Sequence, residues 1–411
     1  MKKSPFGALI GIAALLLSAC GAQSAPVTEL EGVKATGAPI VLGAQAPIEG
    51  AAAYPQTGYG LEAGTKYVNE VLGGIGGRPI ELDLCAGDGS PETVINCANG
   101  FVSSGVPLVI DGYDQSIGAA IPVLGDANIP VVGTLAGGAV ADKAEYGKAF
   151  YLTGPTEVSA LGSMSVLADL GKEQIVLAIN EAPSSHTYVD TLIKPIADEL
   201  GMSMEAQYPA ASGANFNVVA ATQLADDPDA TGVISLPEDS CTGLLRALRQ
   251  QGYEGTLFAG SCSQFVDQLG EQAAGAIVQP RLWVPKSRDS APPHVQAELT
   301  DFATAMESIG RGDELSARSL YAFAGVVNVA RILTAAGGEI TAAAVTAAMK
   351  AVRDFPTFAG PDITCDGQQW PGMASACSRQ AIYFEVQKDG TLDPVNEGGY
   401  TALDPSLVPA T

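Results

Sequence analysis

From residue 39 onward, short apolar runs alternate with longer amphipathic stretches, and this alternation limits the possible folds more than any other feature of the 411-residue chain. The apolar runs have the length of strands, and the amphipathic stretches have the spacing and length of helices. The predicted strands of this first series are residues 40–42, 80–84, 108–110 and 131–132, and the predicted helices are 59–72, 91–102 and 116–126. The alternation predicts βαβ units and a mainly parallel sheet that helices cover on both faces.

A second series of similar size begins after Gly154 and Pro155. Its predicted helices are 156–170, 188–200 and 244–251, and its predicted strands are 174–179, 202–208, 231–236 and 256–259. Three more helices, at 295–309, 318–336 and 341–352, are expected to fold back onto the first series. The predicted fold class is therefore α/β, with two Rossmann-like lobes and mainly parallel sheets.

The N-terminus has the pattern of a secretory signal peptide. Lys2 and Lys3 precede an apolar run from Phe6 to Leu17, which is followed by Ser18-Ala19-Cys20. The run is shorter than the roughly 20 apolar residues that a membrane-spanning helix needs, so cleavage is favoured over an uncleaved anchor. The Leu-Ser-Ala-Cys ending resembles the lipobox of bacterial lipoproteins. This resemblance implies that residues 1–19 are removed and that Cys20 is lipidated. The residues that follow Cys20 are mostly small or polar and have no apolar periodicity, which predicts a flexible tether at residues 20–38.

Six cysteines remain besides Cys20, and they fall into three separate groups. Because an exported protein is in an oxidising environment, an even count favours disulfides, although six thiols allow 15 connectivities. Pairing of sequence neighbours is the economical arrangement: Cys85 with Cys97, Cys241 with Cys262, and Cys365 with Cys377. A zinc site is not expected, because the chain has no C-x-x-C pair and only two histidines, His186 and His294.

The charge of the chain excludes nucleic acid as a partner. The formal net charge is −24, and the 21 lysines and arginines are spread over the whole chain without a basic stripe. The 45 acidic residues are also scattered, which favours a role in solubility over cation capture. A hydrophobic content of 47% is sufficient for a large core and excludes a largely disordered protein.

The stretch from Tyr67 to Leu82, YVNEVLGGIGGRPIEL, combines the end of a helix, a glycine cluster and the start of a strand. Glycines after a helix stop it, whereas a dinucleotide-binding loop would require its glycines between a strand and a following helix. This stretch resembles type I periplasmic binding proteins of the branched-chain amino acid group, in which a helix ends in Asn, two glycines and Ile before a Gly-Arg turn. The resemblance extends over most of the chain after the tether.

The resemblance implies an architecture and a function. The two lobes would be joined by a three-strand hinge, with crossings near Thr153, Pro280 and Phe355. Lobe I would comprise residues 39–153 and 281–354, and lobe II residues 154–280 and 355–411. A small-molecule ligand would bind in the crevice at the carboxyl ends of the strands, and the protein would deliver it to the permease of an ABC transporter in the membrane.

In lobe I, three loops after strands carry candidate ligand residues. Tyr54 can cover a bound molecule or be an ordinary loop residue. Asp114, Gln115 and Ser116 correspond to the place where the family holds a ligand carboxylate at the start of a helix, although Asp and Ser are also common helix caps. Leu135, Ala136 and Gly137 match a segment that contacts the ligand in the family. Gly137 replaces the usual hydroxyl residue, so only backbone contacts would remain there.

In lobe II, the candidate ligand residues depart further from the family pattern. Ser185 and His186 are in a loop where the family has an acidic residue and a tyrosine, and a lone histidine at a helix start is more often structural. Glu238, Asp239 and Ser261 follow the next two strands. The family commonly has an acid near Cys262 to bind the ligand ammonium. Here either Glu238 or Asp239 replaces that acid, or the ligand has no ammonium group.

An enzyme is not expected, because the chain has no G-x-S-x-G elbow, no H-E-x-x-H motif and no Walker loop. No metal or cofactor is expected either. The resemblance therefore predicts an exported solute-binding lipoprotein, anchored to the outer face of the cell membrane or periplasmic. A ligand-sensing subunit of a membrane signalling protein is the alternative, and a cell-surface hydrolase is a weaker one.

Overall fold

The computed structural model describes Met1 and residues 30–50, 53–210, 213–260 and 262–408. The predicted cleavage site, the predicted lipidation site Cys20 and the candidate ligand residue Ser261 lie outside the described residues.

Lobe I is the name used here for the first sheet and the helices that pack on it. Its elements from the first series are β1 (Ile40–Pro47), α1 (Pro55–Glu70), β2 (Ile80–Gly87), α2 (Pro91–Ser104), β3 (Val109–Asp111), α3 (Ile121–Asp126), β4 (Val131–Gly133), α4 (Ala139–Asp142) and β5 (Ala149–Tyr151). The five strands are parallel, in the order β2-β1-β3-β4-β5. Leu42 of β1 and Ile110 of β3 have no exposed surface, as expected for a parallel sheet covered on both faces.

Lobe II is the second sheet with its helices. Its elements are α5 (Thr156–Asp169), β6 (Gln174–Ile179), α6 (Pro183–Tyr188), α7 (Lys194–Glu199), β7 (Ser203–Gln207), α8 (Phe216–Gln223), β8 (Ala230–Ser235), α9 (Glu238–Gln250), β9 (Thr256–Gly260), α10 (Phe265–Leu269) and β10 (Ala276–Val278). A π-helical turn at Val189–Ile193 joins α6 to α7, so the helix that the sequence predicts from residue 188 begins at Pro183.

Three helices follow β10 and return to lobe I: α11 (Pro293–Ser308), α12 (Ala317–Ala336) and α13 (Ala342–Ala351). Helix α12 packs along α1 and against β3 and β4. The close approach of α1 and α12 depends on Gly60, because a Cβ at this position would lie 2.1 Å from the carbonyl oxygen of Ser319. The predicted return of these helices to the first series is confirmed.

The C-terminal part of the chain contacts both lobes. Its strands are β11 (Phe355–Pro356), β12 (Asp362–Ile363), β13 (Gln380–Ala381), β14 (Phe384–Val386), β15 (Leu392–Pro394) and β16 (Thr401–Ala402). The hairpin β14-β15 adds antiparallel strands to lobe II, whose order is β15-β14-β10-β9-β8-β6-β7. The segment Ser375–Cys377 instead lies beside β5 of lobe I, where the Tyr151 amide donates to the Ser375 carbonyl at 2.8 Å.

All three predicted disulfides are confirmed. Cys85–Cys97 joins β2 to α2, Cys241–Cys262 joins α9 to the loop after β9, and Cys365–Cys377 closes a loop of the C-terminal part. Each pair links cysteines that are 12 to 21 positions apart in sequence.

Helix α12 is the one helix in the described part of the chain that is long and apolar enough to cross a membrane. Within its most apolar window, 78% of the residues are buried inside the protein. Its apolar composition is therefore accounted for by its place in the core of lobe I, against α1.

Candidate functional site

The carboxyl ends of the parallel strands are the expected location of a ligand in an open α/β sheet. The loops after β1, β3 and β4 begin at this end of lobe I, and the loops after β6, β8, β9 and β10 begin at the corresponding end of lobe II. Among the described residues, the predicted ligand residues of lobe I are on these loops, whereas Ser185 and His186 lie in α6 and Glu238 and Asp239 lie in the first turn of α9.

The loop after β3 is organised by two buried carboxyl groups. Asp111 accepts a hydrogen bond from the Asp114 amide at 2.8 Å. Asp114 has no exposed surface, and its carboxylate accepts from the Gln45 side-chain amide at 3.0 Å and from the Ser116 amide at 2.9 Å. Burial raises the pKa of both carboxyl groups. The Asp114 side chain thus organises the loop from inside lobe I, while Gln115 beside it is exposed.

The loop after β4 packs directly on the loop after β3. A Cβ at Gly137 would lie 2.3 Å from the Asp114 carbonyl oxygen, closer than two unbonded atoms can approach. The contact between the two loops therefore requires glycine and leaves no room for the hydroxyl side chain that the family has there. Leu135 and Ala136, just before Gly137, are partly exposed.

Tyr54 precedes α1 and is partly buried beneath an arginine of α12. The guanidinium carbon of Arg318 lies 4.1 Å from the centroid of the Tyr54 ring, in a cation–π arrangement. This contact connects the loop after β1 with the first turn of α12, so Tyr54 is held in place on the lobe I side of the crevice.

The predicted ligand residues after β6 have local partners. His186 lies 2.9 Å from a carboxylate oxygen of Glu181, and its ring stacks on Tyr208 with 3.8 Å between centroids. Ser185 is buried at the start of α6. The His186 contacts connect α6 to Glu181 before it and to Tyr208 after β7. Contact of Ser185 or His186 with a ligand stays a prediction.

Glu238, the first residue of α9, connects this helix to the loop after β9. Its carboxylate accepts hydrogen bonds from the Ser263 amide, the Ser263 hydroxyl and the Gln264 amide, at 3.1 to 3.2 Å. Asp239 beside it is exposed. The acid that the sequence offers as an ammonium partner is therefore already bound to three donors of its own lobe.

A cavity of about 220 Å³ lies where these lobe II loops meet α12. Lobe II contributes the loop after β9, β10 and Leu392, and lobe I contributes the start of α12. The lining residues are Cys262, Ser263, Gln264, Val266, Asp267, Val278, Gln279, Pro280, Val284, Pro285, Lys286, Leu315, Ser316, Ala317, Tyr321 and Leu392. No predicted ligand residue within the described ranges is among them.

Tyr321 connects this cavity to the predicted loops of lobe I. Its hydroxyl donates to the Pro280 carbonyl at 2.6 Å, and its own carbonyl accepts from the Thr134 hydroxyl at 2.7 Å. Its ring meets Tyr113 edge to face, with 5.7 Å between centroids. The cavity and the loops after β3 and β4 are therefore neighbouring parts of one crevice.

Arg281, directly after the second crossing, has a backbone conformation that arginine rarely adopts, with φ at +65°. Its guanidinium donates to the Gly154 and Pro155 carbonyls of the first crossing at 3.2 and 3.4 Å. Burial raises the pKa of the Asp142 and Glu157 carboxyl groups nearby, and the charge of Arg281 acts against this rise. Arg281 thus ties two crossings together beside buried acids.

The sequence pointed to few of the cavity residues: Cys262 as a disulfide cysteine, Pro280 as the second crossing, and Ser316 through a helix start signal. Ser316 caps α12, since its hydroxyl oxygen accepts from the Ser319 amide at 3.2 Å, and a serine before an apolar helix is a known start signal. Gln279 had no signal in the sequence, because the short strand β10 before it was not predicted. In the residues that the structure describes, no group of three or more His, Cys, Asp or Glu side chains is placed to hold a metal ion.

Comparison with known proteins gives the family. A profile described as "Periplasmic binding protein" matches residues 39–381, which is most of the chain. The chain belongs to the periplasmic binding protein family. The resemblance seen in Tyr67 to Leu82 is thereby confirmed, and members of this family are extracytoplasmic solute-binding proteins. No curated protein matches the chain significantly.

Solved structures share the fold of this periplasmic binding protein. An ABC transporter substrate-binding protein from Aeropyrum pernix is 18% identical, with a TM-score of 0.70 and coverage of 89% of this chain and 97% of the other. An extracellular ligand-binding receptor from Rhodopseudomonas palustris is 17% identical, with a TM-score of 0.68 and coverage of 87% and 100%.

A third similar structure is the branched-chain amino acid transporter substrate-binding protein LivJ from Streptococcus pneumoniae, in complex with isoleucine. It is 16% identical, with a TM-score of 0.67 and coverage of 87% of this chain and 99% of the other. These similarities confirm the type I fold with mostly parallel sheets. At this level of identity they do not transfer a ligand.

Proposed function

We propose that this protein is the solute-binding component of an ABC importer. It captures a small polar molecule, a branched-chain amino acid or a related amide or carboxylate, in the crevice between the lobes. The lobes then close around the molecule by a hinge motion at the crossings near Thr153, Pro280 and Phe355, and the closed protein docks on the permease.

One observation carries the proposal: the cavity is lined by both lobes and borders the second crossing at Pro280. A ligand that contacts both lobes binds the closed form better than the open form, which is the condition for ligand-driven closure. A ligand in contact with a single lobe would have no such preference. The names of the solved structures, which include ABC transporter substrate-binding proteins, support the same role.

The predicted ligand residues within the described ranges lie outside the cavity lining and would extend the proposed site along the crevice. Tyr54, Gln115, Leu135 and Ala136 would contact the ligand from lobe I, while Asp114, Ser116 and Gly137 shape the loops. In lobe II, Glu238 would act by positioning Ser263. We also propose that Asp239, Ser185, His186 and Ser261 contact the ligand, on the basis of the family resemblance alone.

A ligand screen followed by solution scattering tests this function. The soluble domain is mixed with a metabolite library, and binders are found by their effect on thermal unfolding. A compound that binds only the folded protein raises the free energy of unfolding by about 2.7 kcal/mol at a hundredfold excess over its dissociation constant. The radius of gyration should fall when the binder is saturating. A binder that leaves the radius unchanged would contradict closure.

Export and anchoring belong to the same proposal. Cys20 would carry the lipid, because it ends the Leu-Ser-Ala-Cys sequence after the apolar run. Replacement of Cys20 by Ala should move the protein from the membrane fraction to the soluble fraction. Equal membrane retention of Cys20→Ala and the wild type would show that the anchor is elsewhere.

A further inference from the structure

The wall of the cavity between β10 and α12 is mostly apolar. It includes Val266, Val278, Val284, Leu315 and Leu392. The volume of about 220 Å³ lies below the usual range for drug-sized ligands. The part of a ligand that occupies this space is therefore expected to be compact and apolar.

Gln279, directly after β10, places an amide group at this wall. The residue is only 6% exposed, and its backbone amide donates to the Gly260 carbonyl at 2.9 Å. Its side-chain nitrogen donates to the hydroxyl of Tyr383, which is not a lining residue of the cavity. The side-chain oxygen is therefore the polar atom that Gln279 can present to a ligand.

The partners of Tyr383 fix this orientation of the Gln279 amide. The Tyr383 hydroxyl lies 3.3 Å from the carbonyl oxygen of Ser159, and a carbonyl oxygen can only accept. The hydroxyl donates its one hydrogen to Ser159, so it accepts from Gln279 rather than donating to it. Turning the amide over would place two acceptors against each other.

No described group donates to the Gln279 side-chain oxygen. Two hydroxyl groups of the lining have acceptors elsewhere: Ser263 donates to Glu238 at 3.1 Å, and Tyr321 donates to the Pro280 carbonyl at 2.6 Å. Because a buried acceptor without a donor is unfavourable, a ligand that supplies the donor gains from the contact. A carboxylate at this place would set its own oxygens against the Gln279 oxygen.

We propose that the cavity binds a compact apolar molecule whose polar group is an N–H donor, a carboxamide or an amine, rather than a carboxylate. The N–H group donates to the Gln279 side-chain oxygen, and the apolar body packs against the valine and leucine wall. Gln279 thereby determines which polar group the cavity accepts. This assignment rests on the proposed function and names the ligand class of the same crevice.

Three compounds of the same shape test the donor. The compounds 4-methylpentanamide, 5-methylhexan-2-one and 4-methylpentanoate share one branched body and one carbonyl group, to which an amide nitrogen, a methyl group or a charged oxygen is attached. In isothermal titration of the purified protein, the amide should bind about tenfold tighter than the ketone, the gain expected for one hydrogen bond to an otherwise unpaired buried acceptor. The carboxylate should bind more weakly than the amide by at least the same factor.

A fourth compound, 3-methylbutylamine, carries a charged N–H donor on the same branched body. Tighter binding of the amine than of the amide would assign a charged donor to the ligand, and weaker binding would assign a neutral one. In either case at least one of the two N–H compounds should bind tighter than the ketone.

The substitution Gln279→Met tests the acceptor. Methionine is similarly long and flexible, but its sulfur is only a weak acceptor. The affinity for 4-methylpentanamide should fall about tenfold, to the level of the ketone, while the affinity for the ketone itself should change little. The ketone distinguishes loss of the hydrogen bond from general damage to the cavity, because such damage would weaken both compounds.

The matched control is Gln223→Met. Gln223 of α8 is also buried in lobe II; its side-chain nitrogen donates to the Gly232 carbonyl at 3.0 Å, and its side-chain oxygen has no described partner. It is not a lining residue of the cavity. The control therefore loses a buried amide of the same kind and should bind 4-methylpentanamide as tightly as the wild type does.

The outcomes separate this inference from the proposed function. If the ketone or the carboxylate binds at least as tightly as both N–H compounds, the donor class is overturned while the solute-binding role remains. Binding of none of the four would also overturn the class, and the library screen with scattering then decides the role independently. Equal losses of amide affinity in Gln279→Met and Gln223→Met, or equal losses of amide and ketone affinity in Gln279→Met, would overturn the contact with Gln279.

Discussion

The carboxyl group of Asp111 lies inside lobe I, where water cannot solvate its charged form. Burial raises its pKa well above the ordinary value of 3.8, although the amide of Asp114 partly opposes this rise. One of its oxygens and the Tyr151 hydroxyl are both buried without a hydrogen-bond partner among the described residues. The folded protein therefore favours the protonated form of Asp111.

We expect Asp111→Asn to weaken the pH dependence of stability. Between the unfolded pKa near 3.8 and the raised folded pKa, the folded protein binds one more proton at Asp111 than the unfolded chain, so the wild type loses stability as the pH rises. Asparagine does not titrate. The difference in unfolding free energy between variant and wild type should grow from about pH 4 upward, by at most about 1.4 kcal/mol per pH unit.

Urea unfolding between pH 4 and 7 measures this difference. Asp198→Asn is the matched control, because Asp198 is exposed on the surface of α7. A difference for Asp111→Asn that stays constant across this range would show that Asp111 titrates normally in the folded protein.

The sequence predicted which side chains could contact a ligand, but not which groups those side chains bond to in the folded protein. Glu238 and Asp114 were recognisable as acids that follow strands, yet the sequence does not show that each is held by groups from a distant part of the chain. Gly137 could be recognised as a departure from the family pattern, but its cause, the contact with Asp114, exists only in the fold. Side-chain partners distant in sequence are the information that local patterns lack.

Two of the disulfides each join a helix to a strand or to the loop after a strand, but only one of them lies at the cavity. Cys241–Cys262 joins α9 to the loop after β9, and Cys262 lines the cavity. Cys85–Cys97 joins β2 to α2 in lobe I, away from the cavity lining. The sequence separations are 21 and 12, so the loop-closure model gives each bond a contribution of about 3 kcal/mol.

We expect the two double alanine variants to lose similar stability but to differ in binding. Removal of Cys241–Cys262 should lower the affinity for the best compound from the library screen, because the loop with Ser263 and Gln264 then loses one of its ties. Removal of Cys85–Cys97 should leave the affinity unchanged. Urea unfolding measures the stability of each variant, and isothermal titration measures its affinity for the compound. Equal affinities of the two variants would show that the hydrogen bonds of Glu238 hold the loop without the disulfide.

Elements with a strong local pattern were predicted well. The strand at residues 174–179 has the predicted bounds, and α11, α12 and α13 each begin and end within two residues of the predicted positions. The hairpin β14-β15 was not predicted, because its strands have only three residues each and β14 pairs with β10, about 100 positions earlier. Helix α8 was also missed; it has eight residues, too few for a clear period.

At the scale of the whole molecule, the two lobes share much of their stabilising structure. One continuous core contains Leu42 and Ile110 of lobe I together with Val233 and Leu257 of lobe II. Asp142 of lobe I accepts hydrogen bonds from the amide and hydroxyl of Thr156, at the start of α5 in lobe II. The Ser375–Cys377 segment, which the family resemblance assigns to lobe II, pairs with β5 of lobe I.

We therefore expect the ligand-free soluble domain to unfold in one cooperative transition rather than lobe by lobe. In calorimetry, the measured enthalpy of unfolding should equal the van't Hoff enthalpy, since the apolar core that contains Leu42 and Val233 runs through both lobes. Asp142→Ala, which removes both hydrogen bonds to Thr156, should shift this single transition to lower temperature, at a loss of about 1 to 3 kcal/mol. If the lobes were independent, the scan would instead show two transitions, and Asp142→Ala would move only one of them. A single shifted transition is compatible with hinge closure, because closure needs rotation only at the crossings while the shared core keeps both lobes folded.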